Sequence, residues 1–316
     1  LYPDRGYSRF IFFVCVQVKK LGRQDLIFID NRKGILPGYL ARKLSGADYV
    51  VQDCRELYDM KSAAGIPGRI GCIIEQIFTK RSDVVIAANA YRARIMTKMF
   101  RLKREPLNYE NIRRLEYASD EKRQQVEAEC RTFFEEPKFR IVSTAGCDMS
   151  RTTGKMLEAM KGLGEDYELL LIGESEEEDE QIVRGTIRRL GLTNVKILPR
   201  MDQDHLKYFI QNSQAGMVAY HQRDLNNRYC ASGKIFEFLF EGKPVVTSTN
   251  PPLKDFCEKY RAGQASDDYE QAVRELAGRY EQWQNHVERL ISRIHVEQNN
   301  KKLADQIRSL LEERKR

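Results

Sequence analysis

Long apolar runs are missing from this chain of 316 residues. The longest, Phe10 to Val16, falls far short of the ~18–20 residues that cross a bilayer, which excludes a spanning helix. Histidine is scarce, with four residues (His205, His221, His286, His295) and no H-x3-H or H-E-x-x-H spacing, so no structural zinc or zincin site is expected. The seven cysteines are dispersed without C-x-x-C spacing, a set that suits a reducing compartment better than a disulfide framework. Glycine and proline, 20 and 9 residues, are too few for a fibrous or low-complexity protein.

What is present is the composition of a folded protein. Hydrophobic residues make up 41% and charged residues 31%, enough for a sizeable core and against wholesale disorder. At roughly 100–200 residues per domain, the length gives two domains or one large α/β domain. The net charge of +7 is uneven: through Leu115 there are 22 basic against 11 acidic residues, and beyond it 31 against 35. The basic half is therefore expected to favour phosphate, nucleic acid or an anionic membrane surface.

Short apolar runs alternate with helix-length segments. Strands are expected at Leu26–Asp30, Tyr49–Gln52, Val84–Ala88, Phe139–Thr144, Glu168–Gly173, Val195–Leu198, Gly216–Tyr220 and Pro244–Thr247. Continuous runs, without period-two alternation, suit parallel strands buried on both faces. Helices are expected at 37–44, 69–80, 90–103, 153–163, 179–190, 202–212 and 235–240, with one or two more in 267–316. The charged, strandless stretch 117–138 separates an N-terminal domain, 1–116, from a C-terminal domain, 139–296; a helix in 297–316 follows. No repeat of 20–50 residues is visible.

The most informative stretch is Asn226 to Asn250. Ser232, Gly233 and Lys234 stand where a helix begins, and free N–H groups there, with the lysine charge, favour a phosphate. Glu237, one turn on, suits two ribose hydroxyls. The same pattern equally describes an ordinary capped helix with a surface glutamate. In Phe139–Gly154 a strand feeds a loop in which Gly146 permits close backbone approach and Arg151 is placed to neutralise a diphosphate.

The string S-G-K-I-F-E-F-L-F-E-G-K-P-V-V resembles the donor-binding segment of GT-B glycosyltransferases of family 4, usually P-x-K-x-x-E-Y-x-x-x-G-K-P-V. The resemblance covers about 25–263. It implies an α/β chain of two Rossmann-like domains facing across a cleft. It also implies transfer of a sugar from a nucleotide diphosphate, UDP in the first instance, with retention, no metal and no cofactor beyond the nucleotide-sugar co-substrate. Arg151 and Lys234 are then the catalytic candidates, stabilising the departing diphosphate. Glu237 holds the ribose, with Ser232 and Gly233 against the diphosphate and sugar. Gly146, Gly173 and the Arg200–Met201 segment, whose backbone recognises the base in the family, complete the donor side. Two positions depart from the family: Tyr229 stands where many relatives carry a second glutamate, and Cys147 where an arginine usually follows the glycine.

On the acceptor side, V-V-Q-D-C-R-E-L-Y resembles a family segment written Y-D-x-H-E-L. Arg55 takes the histidine position, so no histidine base is assigned. Asn31, Asp53, Arg55 and Glu56 are acceptor candidates, and a salt-bridged loop explains them equally well. The resemblance also leaves the N-terminal domain short of its first strand and glycine-rich loop. With Leu1 in place of methionine, the expectation is either a preceding segment or a reduced N-terminal domain.

Expected partners are a nucleotide-sugar donor and a saccharide or lipid-linked acceptor in cell-surface polysaccharide synthesis, in the cytoplasm at the inner face of a bacterial membrane, with no nucleic acid. The segment 90–103 offers a basic amphipathic helix for anionic lipid, though an ordinary core-facing helix explains it better. A sugar-nucleotide epimerase and a catalytically idle GT-B subunit are the alternative readings.

Overall fold

The buried apolar runs assemble into two separate parallel sheets in the computed structural model, which describes residues 6–313. Residues 1–5 and 314–316, at the ends of the expected N-terminal domain and C-terminal helix, lie outside the described residues. The chain divides into two units. One comprises Leu1–Asn111, Asp224–Ala231 and His295–Arg316; the other Ile112–Arg223 and Ser232–Ile294.

The first unit begins with α1 (Tyr7–Leu21), β1 (Leu26–Asp30), α2 (Ile35–Ser45), β2 (Tyr49–Cys54) and α3 (Gly65–Thr79). It continues with β3 (Val84–Ala87), α4 (Ala90–Phe100) and β4 (Leu107–Asn108). The sheet order is β1-β2-β3-β4, with Leu26 opposite Tyr49 and Val51 opposite Val84. Helix ends follow local chemistry. Asn89 accepts the Arg92 N–H at the start of α4, and Gly46, at φ 66°, closes α2 through an N–H to the Arg42 carbonyl. Met96 and Phe100 of α4 enter a cluster with Cys54, Leu57 and Ala87, and Arg92 is 3% exposed. The apolar face of α4 therefore belongs to the core, which removes the surface helix considered for 90–103.

The second unit runs through α5 (Asp120–Cys130), β5 (Phe139–Ser143), α6 (Thr153–Leu163), β6 (Tyr167–Ile172), α7 (Glu177–Leu190), β7 (Val195–Leu198), α8 (Gln203–Gln211) and β8 (Ala215–Val218). A short helix, α9 (Leu225–Arg228), returns to the first unit. The second unit then resumes with α10 (Lys234–Leu239), β9 (Val245–Thr247), α11 (Pro251–Tyr260), β10 (Gly263–Ala265), α12 (Tyr269–Gly278) and α13 (Tyr280–Ile291). Its core packs Ile141, Leu169, Leu171, Met217 and Val246 of the sheet against Met156, Met160, Val273 and Leu276.

The stretch read as a linker is part of this second unit. Tyr117 donates to Gln211 at 2.7 Å, the Ala118 N–H donates to Asp204 at 2.7 Å, and His205 meets Glu129 at 3.1 Å. The last helix, α14 (Val296–Glu313), belongs to the first unit, where Leu303, Ile307 and Leu310 cover Val51, Val84 and Ile86.

Candidate functional site

The six-stranded sheet has the order β10-β9-β8-β5-β6-β7. Chain order reverses between β5 and β8, and in open parallel sheets the carboxyl ends beside such a switch form the ligand crevice. The loop after β5 supplies Thr144 to Thr152 and the loop after β8 supplies Tyr220 and His221. They are tied together: the His221 N–H donates to the Ser150 carbonyl at 3.2 Å, and the Arg151 guanidinium lies 4.1 Å from the centre of the Tyr220 ring. The Tyr220 hydroxyl donates to Ser232 Oγ at 3.0 Å, which fixes the turn ahead of α10.

Two cations meet here. Arg151 Nε pairs with Asp148 at 3.2 Å, yet its Nη1 is buried without a hydrogen-bond partner. Lys234 donates to the Thr144 carbonyl, and burial, then the neighbouring Arg151 charge, pull its ammonium below the usual lysine range. Thr144 Oγ1 is likewise buried and unpartnered. Unmatched buried polar atoms are rare in folded proteins, which singles out Thr144 and Arg151 at this strand end. Glu237, 2% exposed, meets Arg113 Nε at 3.2 Å. Burial pushes its carboxyl up, and Arg113 and Lys234 oppose that.

The two expected glycines set the loop geometry. Gly146 has φ 60° and Gly173 φ 150°, and the Gly146 N–H donates to the Ile172 carbonyl at 3.0 Å. A Cβ on Gly146 would stand 2.8 Å from the Glu174 carbonyl oxygen; one on Gly173 would stand 2.8 Å from the Gly146 nitrogen. Both positions require glycine so that the loops after β5 and β6 can touch. Cys147 points into the core with Met156 and Leu171, and its N–H donates to Ser175 Oγ at 2.9 Å. Arg200 and Met201 follow β7, two strands from β5, and Arg200 forms an exposed pair with Glu174 at 3.4 Å. The donor candidates Ser232, Gly233, Lys234, Glu237, Gly146 and Arg151 thus gather in the second unit. Tyr229 does not: it packs within the first unit, stacked on Tyr91 at 5.8 Å, with its carbonyl accepting from Arg92 at 2.8 Å.

The acceptor-side candidates come together at the carboxyl edge of the four-stranded sheet. Arg55 bridges Asp30 at 3.0 Å and Asp53 at 3.3 Å, and the Asn31 N–H donates to the Asp53 carbonyl at 2.8 Å. Burial pushes the Asp53 carboxyl up and Arg55 pulls it down. Glu56 lies 3.8 Å from Arg92, which also donates to Asn226. Sequence reasoning passed over Tyr220, Asp148 and Arg113. Tyr220, directly after an apolar strand at the sheet's switch, carried the one available signal.

No protein-family model and no curated protein matches the sequence. Solved structures do. The chain is similar to HepE of Anabaena, determined with UDP and glucose, at 15% identity and a TM-score of 0.73, over 97% of this chain and 84% of that one. It is similar to sucrose-phosphate synthase of Thermosynechococcus elongatus at 15% identity and a TM-score of 0.73, over 98% and 80%. A UDP-N-acetylglucosamine 2-epimerase matches at 13% identity and a TM-score of 0.54, over 91% and 74%. With two parallel α/β units and these neighbours, the chain has the GT-B fold.

Proposed function

We propose that this protein is a glycosyltransferase that moves a sugar from a nucleotide diphosphate, UDP in the first instance, to a saccharide or lipid-linked acceptor. Cell-surface polysaccharide synthesis at the cytoplasmic face of a bacterial membrane is the setting we infer. The observation that carries the reading is the unpartnered Arg151 Nη1 beside the partly buried Lys234 at the β5–β8 switch. Around it three cations, Arg151, Lys234 and Arg113, face two carboxylates, Asp148 and Glu237, so an incoming diphosphate meets a net positive site. The UDP complexes of HepE, a protein with the same fold, support the choice of nucleotide.

In the reaction the bond from the anomeric carbon to the diphosphate oxygen breaks and its electron pair leaves with the diphosphate. The acceptor oxygen bonds to the same carbon and sheds its proton. Arg151 and Lys234 meet the negative charge that develops on the leaving group, the task a divalent cation performs elsewhere. Retention and metal independence are part of the proposal. Glu237 takes the ribose, the Ser232–Gly233 turn faces the diphosphate and sugar, and the Arg200–Met201 backbone lies towards the base. On the acceptor side we place Asn31, Asp53, Arg55 and Glu56.

The epimerase neighbour keeps a second reading in view. Product analysis separates the two. Incubation with UDP-sugars and oligosaccharide acceptors, with and without chelator, should give a longer saccharide and free UDP, unaffected by chelation. An epimerised nucleotide sugar formed from donor alone would favour the second reading.

A further inference from the structure

Within the first unit, Arg92 of α4 is buried and donates to two stretches of backbone that are far apart in sequence. Its Nε reaches the Tyr229 carbonyl at 2.8 Å, its Nη2 the Asn226 carbonyl at 2.8 Å, and its Nη1 the Arg55 carbonyl. Nη2 also meets Asn226 Oδ1 at 2.6 Å, and that oxygen accepts the Leu57 N–H at 2.9 Å. Asn89 works beside it. Its Oδ1 accepts the Arg92 N–H at 2.8 Å, while its Nδ2 donates to the Tyr229 and Cys230 carbonyls at 3.2 and 3.0 Å. A planar guanidinium with donors on three nitrogens serves acceptors in several fixed directions at once; a lysine ammonium does not.

Further contacts join the same two segments. Leu225 packs on the cluster that holds Leu57, Met96 and Phe100. The Leu225 N–H bonds the Asp59 carboxylate, which also takes the Lys61 and Ser62 N–H groups at 2.7 and 3.0 Å. The loop after β2 is thus held at Arg55, Leu57 and Asp59, at alternate residues, by Arg92 and the α9 segment. Glu56 lies between two of these fixed points, and Arg55 carries one of them. Side-chain directions follow from the backbone, so the bonds that fix this loop also aim the two acceptor-side candidates. We propose that Arg92 is a positioning residue of the acceptor side, aiming Arg55 and Glu56 by clasping the α9 segment to their loop. The acceptor role rests on the proposed function; the clasp does not. Without the guanidinium the carbonyls it serves lose their donor, so the loop and the α9 segment should loosen together.

Hydrogen exchange of the whole chain, free of nucleotide, reads the clasp. In Arg92→Gln the amides of both 54–62 and 224–231 should exchange about tenfold faster or more, with β5 and β6 unchanged. Asn226→Ala, which removes the oxygen shared by Leu57 and Arg92, serves if that variant does not fold. Arg92→Lys keeps the charge without the fork and should behave like Arg92→Gln. Turnover reads the consequence, with the UDP-sugar and oligosaccharide pair identified by product analysis. For the acceptor, kcat/KM should fall about ten- to a hundredfold, carried by KM. Methylguanidinium added to Arg92→Ala should restore part of that loss. Unchanged exchange in 54–62 while 224–231 opens, wild-type behaviour of Arg92→Lys, or a loss carried by kcat alone would overturn the proposal. A wild type with both segments protected that transfers no sugar would overturn the proposed function and the acceptor role with it, while the exchange result alone decides the clasp.

Discussion

Arg113 Nε lies 3.2 Å from Glu237 Oε1, joining a guanidinium side chain that is 59% exposed to a carboxylate side chain that is 3% exposed. In the proposed function Glu237 receives the ribose, so the nucleotide and Arg113 share one carboxylate. Arg113 also helps to hold Glu237 ionised against its burial. Arg113→Ala should therefore change UDP affinity only a few-fold at pH 8, and the loss should grow as pH falls, because the carboxyl then protonates earlier. Titrating UDP into both proteins at several pH values checks this.

Arg151→Met and Lys234→Met should separate binding from stability. Each removes a charged hydrogen-bond donor to the diphosphate, worth about 1.5–3 kcal/mol, or roughly 10–150-fold in affinity. Arg151→Met also removes a buried unpartnered donor, so the variant should be as stable as wild type or more so. Urea unfolding beside nucleotide titration measures both.

UDP binding should carry a proton signature at alkaline pH. The Lys234 ammonium sits below the usual lysine range, and a neighbouring diphosphate favours its charged form. Binding should then take up a proton above that lowered pKa, and affinity should fall as pH rises. Calorimetry in buffers of different ionisation enthalpy reads the uptake.

Glu75 gives a stability test in the other unit. Burial raises its carboxyl to about 7, with Arg32 4.0 Å away opposing the shift. Between about 4.5 and 7 the native state holds a proton that the unfolded chain has lost. Stability should be highest below that window and fall through it by on the order of 3 kcal/mol. Glu75→Gln should flatten the dependence, as measured by urea unfolding across the range.

In the six-stranded sheet, Glu168 accepts from Arg140 at 2.8 Å and Lys196 at 3.0 Å, with Arg140 and Glu168 both buried. Glu168→Ala leaves Arg140 buried without its counterion and should cost about 3–5 kcal/mol. Nucleotide affinity of the protein that remains folded should not change.

Much of this fold was legible in the sequence because most of the strands are buried on both faces. Val84–Ala87 and Phe139–Ser143 fall within one residue of where their apolar runs predict. The elements passed over have weak signals. β4 is two residues long, and β10 is the run Gly-Gln-Ala. α11 opens on Pro251–Pro252 behind Asn250, a pair that resembles a turn although proline at the first helical positions is a start signal. α1 holds the longest apolar run, Phe10 to Val16, read above only as too short to span a membrane. At the site, the sequence sets Lys234 at a helix start with Glu237 one turn on, and α10 does open at Lys234. The hold of Tyr220 on Arg151 and Ser232 joins residues from three loops, and no local pattern encodes it. Tyr229 lies apart from the other donor candidates because the chain crosses to the first unit for only Asp224–Ala231 and then returns.

The central claim is that the β5–β8 crevice binds a nucleotide diphosphate through Arg151, Lys234 and Glu237. Calorimetric titration of UDP and GDP, without metal, into wild type and Glu237→Ala tests it most directly. The account predicts saturable binding of UDP to wild type and its loss in the variant. Well-folded wild type that binds neither nucleotide would contradict the account and leave the chain as a GT-B subunit without a working donor site.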